Sequence, residues 1–167
     1  MTAFPYVTET LALLGDRDPL TVMAETPAWL ATHIEPLSAE LLTRPEGEGK
    51  WSIAQVLAHL VDAEIAYGWR LRILLTQENP PLPGYDQGVW LTRFDYANAN
   101  PAMSLATLTA LRSWNLRVWR TATAADLERL GMHPERGLEP LSKLRQLVAG
   151  HDLRHRRQIE RILRVVG

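Results

Sequence analysis

Apolar positions recur every three to four residues through most of this chain, the period of a helix with one buried face. The period-two alternation of a half-buried strand is hard to find. Four long segments carry the helical pattern. The first runs from about Asp18 to Ile34, with Asp18 placed as an N-cap and Pro19 at the first helical position. Pro27 lies inside it and predicts either a kink or a break into two shorter helices. EPLSAELLTRPEGEGK follows as a connector, with Ser38 capping a short turn. The second helix starts at Ser52, which forms a capping-box pair with Gln55, while Trp51 is placed to staple onto Val56. It extends to about Leu75. QENPPLPGYDQGVW then breaks it and makes a long loop, the sort of segment that often covers a site. Ser104 is placed to cap the third helix, SLATLTALRSWNLRVWRTAT. A shorter piece, AADLERL, and a turn, GMHPERG, lead to Pro140, which opens a fourth helix reaching about Val166.

Four such helices predict an all-α fold, a four-helix bundle with a long connection after the second helix. Residues 1–17 are set apart as an N-terminal segment, and residues 18–167 form one bundle domain. The 167 residues suffice for one domain with a sizeable core, and 46% of them are apolar, so the chain is expected to fold. A formal net charge of −1 gives no global attraction to nucleic acid or to anionic membranes. There is no cysteine, which excludes disulfides, protein thiolate catalysis and cysteine metal sites. Any bound metal must therefore use His, Asp, Glu or backbone oxygen. The N-terminus lacks a basic region and a sustained apolar run, and no segment approaches the roughly 20 apolar residues of a membrane span. A cytoplasmic protein is the expectation.

Three histidines change the picture most. On the fourth helix, Leu144, Leu147, Val148, Ile159, Ile162 and Val166 define an apolar stripe, and His151 and His155 fall inside it. Their spacing of four stacks two imidazoles on one helix face. Buried polar groups without partners cost roughly 1–3 kcal/mol each, and a metal would supply the partners. On the second helix, Ser52, Gln55, Ala63, Ala66 and Arg70 lie closest in angle to His59, a small or polar face with room for a cavity. If the two helices pack, three neutral nitrogens converge, an arrangement suited to a catalytic divalent metal such as Zn, Ni or Fe. Asp62, three residues after His59, is placed to bind the metal, hold a water, orient a histidine or move a proton. Arg154 flanks the histidine face and Arg70 shares the His59 face, so both are candidates to bind an anionic substrate. His33 and His133 are read as structural, one near a helix end and one in a turn. Asp152 rather than Glu follows His151, which excludes the zinc-protease pattern. Trp51, Trp69, Trp114 and Trp119 are expected in the core or an interface, and Trp90 with Tyr85 at a pocket mouth or simply packed.

WSIAQVLAHLVDAE, followed late in the chain by HDLRHRRQIERIL, resembles the DinB/YfiT-like family, which is unrelated to the DNA polymerase that shares the DinB name. The motifs are Trp-Ser before the second helix, His-Leu-x-Asp within it, and His-x-x-x-His followed by Arg-Gln-Ile in the last. The resemblance spans about Asp18 to Val166. It implies a four-helix bundle, a divalent metal held by His59, His151 and His155, and a homodimer. It further implies transfer chemistry on a low-molecular-weight thiol of the bacillithiol, mycothiol or glutathione type. Two alternatives stand beside that expectation: hydrolysis of a small ester or amide, and non-catalytic binding of metal or ligand.

Overall fold

The computed structural model describes residues 5–166 of the chain. Its frame is four long helices: α2 (Pro19–Ile34), α4 (Ile53–Thr76), α6 (Pro101–Trp119) and α8 (Leu141–Val166). Shorter helices α1 (Pro5–Leu14), α3 (Ala39–Thr43), α5 (Gln87–Arg93) and α7 (Ala124–Leu127), with a 3-10 turn at Tyr96–Asn98, fill the connections. In the bundle α4 packs on both α6 and α8, and α2 packs on the same two helices. Among the described residues no helix is long and apolar enough to cross a membrane.

The caps follow local chemistry. Asp18 accepts from the Thr21 N–H at 2.8 Å, and the reciprocal box of Ser52 and Gln55 starts α4. The third long helix starts earlier than the pattern suggested. Asn100 is its N-cap, accepting from the Met103 N–H, with Pro101 in the first turn. Ser104 is instead buried within α6. Asn-Pro is the stronger start because proline needs no donor there and its fixed φ suits the first turn.

Within the N-terminal segment, whose residues 1–4 lie outside the described residues, Pro5–Leu14 form α1, which packs along α8. Two further expectations need correction. The GMHPERG stretch belongs to an antiparallel hairpin, β1 (Leu130–His133) with β2 (Gly137–Pro140), and Pro140 ends this strand rather than opening α8. Its alternation is hidden because the buried positions of β1 are Gly131 and His133, while Leu130 and Met132 face out. Trp69 and Trp114 stay out of the core, at 58% and 57% exposure, whereas Trp119 is buried.

Pro27 neither breaks α2 nor leaves it defective. A proline inside a helix removes one ladder bond and costs about 3 kcal/mol. The carbonyl deprived of its donor is that of Met23, four residues back. It receives an N–H from Arg112 of α6 at 2.9 Å.

The apolar interior forms two clusters. One gathers Val22, Met23, Leu71, Leu74, Leu116, Trp119, Leu144 and Val148, the other Leu30, Ile34, Ile53, Leu57, Leu105, Leu108, Ile159 and Ile162. On every long helix buried polar residues fall between these two sets: Thr26 on α2, His59 and Glu64 on α4, Arg112 and Asn115 on α6, His151, Asp152 and His155 on α8; Ser104 at the start of α6 and Arg70 on α4 are buried apart from them. A polar layer therefore crosses the middle of the bundle.

Candidate metal centre

Within this layer the three predicted histidines meet. His59 comes from α4, and His151 and His155 from successive turns of α8. One ligand atom from each lies within 4.8 Å of the others. The His59 and His155 Nε2 atoms each stand 3.1 Å from His151 Nε2. Nitrogens bound to one ion at about 2.0–2.1 Å are themselves separated by roughly 3 Å, so the spacing suits a shared cation.

Hydrogen bonding among the rings cannot satisfy the cluster. Gln158 Oε1 lies 2.8 Å from His155 Nδ1 and, as an acceptor, assigns the proton to that nitrogen. His155 Nε2 then presents a lone pair. His151 has one proton at most to offer in its neutral form, and two Nε2 neighbours. His59 Nδ1 is buried without a partner. The rings are nearly sealed from water, at 1%, 4% and 7% exposure for His59, His151 and His155. Burial is the main reason that protonation is disfavoured, lowering His59 to about 3 and His155 to about 4. His151 is pushed well below its ordinary value by burial, then by its two histidine neighbours and by Arg112 and Arg154. Three neutral imidazoles with converging lone pairs are the donor set for a divalent metal ion. Trp51 holds His59 edge-on at 5.1 Å between ring centres, and Tyr67 does the same for His151 at 5.6 Å.

His151 and His155 open onto a cleft of about 830 Å³. Its walls come from α1 (Tyr6, Glu9), from the connector before α4 (Glu46, Lys50) and from α8 (Arg154, Arg157, Arg161). Arg154 stacks over Tyr6 and pairs with Glu9 at 3.0 Å. Arg161 holds Glu46 through two bonds of 2.7 Å. Lys50 and Arg157 have no carboxylate within ion-pair distance among the described residues.

The chain matches the DinB superfamily over residues 23–159. It belongs to that superfamily. It is 30% identical over 149 residues to YfiT of Bacillus subtilis, named "Putative metal-dependent hydrolase YfiT", covering 89% of this chain and 84% of that protein. A relative from Oceanobacillus iheyensis with the same metal-dependent hydrolase name is 30% identical over 131 residues, covering 78% of this chain and 76% of its own. The solved structure of B. subtilis YfiT, described as "a probable metal-dependent hydrolase with an unusual four-helix bundle topology", superposes with a TM-score of 0.82 at 29% identity. That match covers 87% of this chain and 84% of the other.

The remaining candidates divide. Arg154 stands on the cleft wall. Arg70 is turned away, its Nη2 donating to the Pro83 carbonyl and its guanidinium lying 5.7 Å from the Tyr67 ring centre. The Asp62 carboxylate is not part of the histidine cluster; it accepts a hydrogen bond from the Tyr96 hydroxyl. The long loop reaches the cleft through Gln87, while Tyr85 and Trp90 stack on each other at 4.2 Å. His33 bonds the Trp29 carbonyl within its own helix, and His133 receives the Glu135 N–H in the hairpin.

Sequence reasoning missed the charged half of the layer. Arg112 donates to Glu64 at 3.0 Å and to both oxygens of Asp152, and Asn115 donates to Glu64 at 2.9 Å. The signal was available. Arg112 follows Leu105 and Leu108 and precedes Leu116 and Trp119 on the buried face of α6, as His151 interrupts the stripe of α8.

Proposed function

We propose that this DinB protein is a metal-dependent enzyme in which His59, His151 and His155 hold one divalent ion and a small thiol is the nucleophile. A bound ion supplies Lewis acidity, lowering the pKa of a coordinated thiol or water. The carrying observation is the absence of a free carboxylate beside the cluster among the described residues. Asp62 is engaged by Tyr96, Asp152 by Arg112, and Glu9 and Glu46 by arginines on the cleft wall. Water, whose pKa coordination would lower from about 15.7 to roughly 7–9, commonly still draws on a neighbouring carboxylate as base in hydrolases. A thiol begins near 8.5 and needs far less help. The chain has no cysteine of its own, so the sulfur must come from a cosubstrate.

The side chains of the cleft then take defined roles. Arg154 and Lys50 bind carboxylates of the thiol, and Arg157 extends the cationic wall. The buried histidines stay neutral. The sulfur forms a bond to the electrophilic carbon as the bond to the leaving group breaks, and the thiol proton leaves to solvent through the open cleft. A homodimer in the cytoplasm belongs to the same reading, and sedimentation would check the dimer.

The hydrolase names of the relatives favour a second reading, cleavage of a small ester or amide by activated water. One experiment separates the two. Metal-loaded protein is assayed with bacillithiol, mycothiol and glutathione against a halogenated aromatic, and with an ester in the absence of thiol. The transferase reading predicts thiol-dependent turnover that is lost in His59→Ala and reduced about tenfold or more in Arg154→Ala. Ester turnover without thiol, lost in His59→Ala, would replace it with the hydrolase.

A further inference from the structure

The histidine cluster draws on two long helices, and leucine packing alone does not fix how they meet. A slide of one turn displaces a helix by about 5.4 Å, while ridges of similar apolar side chains can find new grooves. Two Nε2 separations of 3.1 Å leave no such freedom. Some directional contact must set the relation of α4 to α8.

Arg112 makes that contact. Arg112 is 2% exposed, and its guanidinium bonds three helices other than its own. On α8 it grips both oxygens of Asp152, the residue after His151. On α4 it holds Glu64, about one turn beyond His59. On α2 it takes the Met23 carbonyl, which is free only because Pro27 has no N–H. The planar fork imposes directions that an ammonium group would not. Asn115 ties Glu64 to Arg72 through a 2.7 Å bond, so Glu64 is fixed from a second side.

We infer that Arg112 is a positioning residue for the histidine cluster, fixing α4 against α8 through Glu64 and Asp152 with the Pro27-exposed carbonyl of α2 as its third anchor. The affinity arm of the test rests on the metal reading above; the geometric arm does not.

The test uses the full chain as wild type, Arg112→Lys, Glu64→Gln, His59→Ala and Leu74→Ala. Metal-free samples are compared by the side-chain nitrogen resonances of His59, His151 and His155, with His33 as internal reference. Cobalt(II) titration then gives affinity and the ligand-field absorption spectrum. Arg112→Lys keeps the charge but not the fork. It is expected to move the His59 and His151 resonances, weaken cobalt binding about 10- to 100-fold and alter the spectrum. Glu64→Gln keeps an acceptor and is expected to do the same more weakly; it carries the test if the lysine variant does not fold. Leu74→Ala empties a core site in the cluster that excludes the histidines and should lower melting temperature without moving them. Unchanged histidine resonances in the folded Arg112 and Glu64 variants overturn the inference, as do equal changes in Leu74→Ala. If wild type binds no cobalt, or His59→Ala binds it equally, the metal reading falls and the resonances alone judge Arg112.

Discussion

Gly150→Ala tests whether the close approach of α1 to α8 builds the cleft. In an exposed helix this change would stabilise by about 1 kcal/mol, because alanine is the better helix former. Here the added Cβ would lie 2.3 Å from the Thr10 carbonyl oxygen, 2.7 Å from Thr10 Cγ2 and 3.0 Å from its carbonyl carbon. The obstacle is the backbone of α1, so no rotamer change relieves it and α1 must move outward. Overpacking of this kind costs about 1–3 kcal/mol, and a backbone obstacle places it toward the upper end. Subtracting the helix gain leaves a net loss of roughly 1–2 kcal/mol, or about 2–8 °C in melting temperature for a chain of this size. The functional consequence is selective. Tyr6 and Glu9 on α1 line the cleft, whereas all three histidines sit on α4 and α8. Under the proposed function, the variant should bind a divalent metal as the wild type does and lose affinity for an anionic thiol. Differential scanning calorimetry and metal analysis on one preparation give both readouts. A melting temperature raised by 2 °C or more, the outcome of helix propensity alone, would refute the packing argument.

His59→Ala, His151→Ala and His155→Ala should each lose bound metal by elemental analysis, while His33→Ala and His133→Ala keep it, since those two rings bond elsewhere. Chelated protein should lose stability as pH falls below 6.5. In the native chain His59 binds a proton only near 3 and His155 near 4, and burial holds His151 well below its ordinary value, while the unfolded rings titrate near 6.5, so protons favour the unfolded chain across this window. The slope approaches about 1.4 kcal/mol per pH unit for each ring, and a flat thermal-stability profile between pH 6.5 and 4.5 would contradict it. Ser52→Ala removes half of the capping box on α4 and should cost about 1 kcal/mol in urea unfolding.

How legible each part was depended on whether its signal lay within one helix. The pairing of His151 with His155 follows from a spacing of four, and the capping box of α4 is complete within four residues. Arg112 was as visible as His151 on the same grounds, but its meaning needs Asp152, Glu64 and Met23, which come from three other helices. The β1–β2 hairpin hid because Gly131, where a side chain would strike Leu74 and Leu82, and His133 occupy its buried positions. Helix α1 buries Val7, Thr10 and Leu14, too short and too polar a stripe to stand out. Asp62 looked catalytic because the distance from His59 along the helix was right; Tyr96, which engages it, lies 34 residues away.

The two halves of the polar layer make different demands on the fold. The histidines need only lone pairs that converge, and a bound ion would complete them. The charged half must be complete in the protein itself, because a buried Arg112 without Asp152 and Glu64 would leave an uncompensated charge, a loss of about 3–5 kcal/mol. That half therefore fixes the helices before any ligand arrives. The cleft shares α8 with the histidines, through Arg154, Arg157 and Arg161, and takes the rest of its wall from other segments. Glu9 lies on α1, Glu46 and Lys50 lie in the connector before α4, and Gln87 begins α5. None of these four side chains touches the histidines, although Trp51 of the same connector packs against His59. Substitutions in these peripheral segments can change the charge of the cleft without disturbing the ligand geometry. Within one bundle, the charge of this outer part of the cleft is thus separable from the geometry of the histidine cluster, whereas Arg154 on α8 is tied to both.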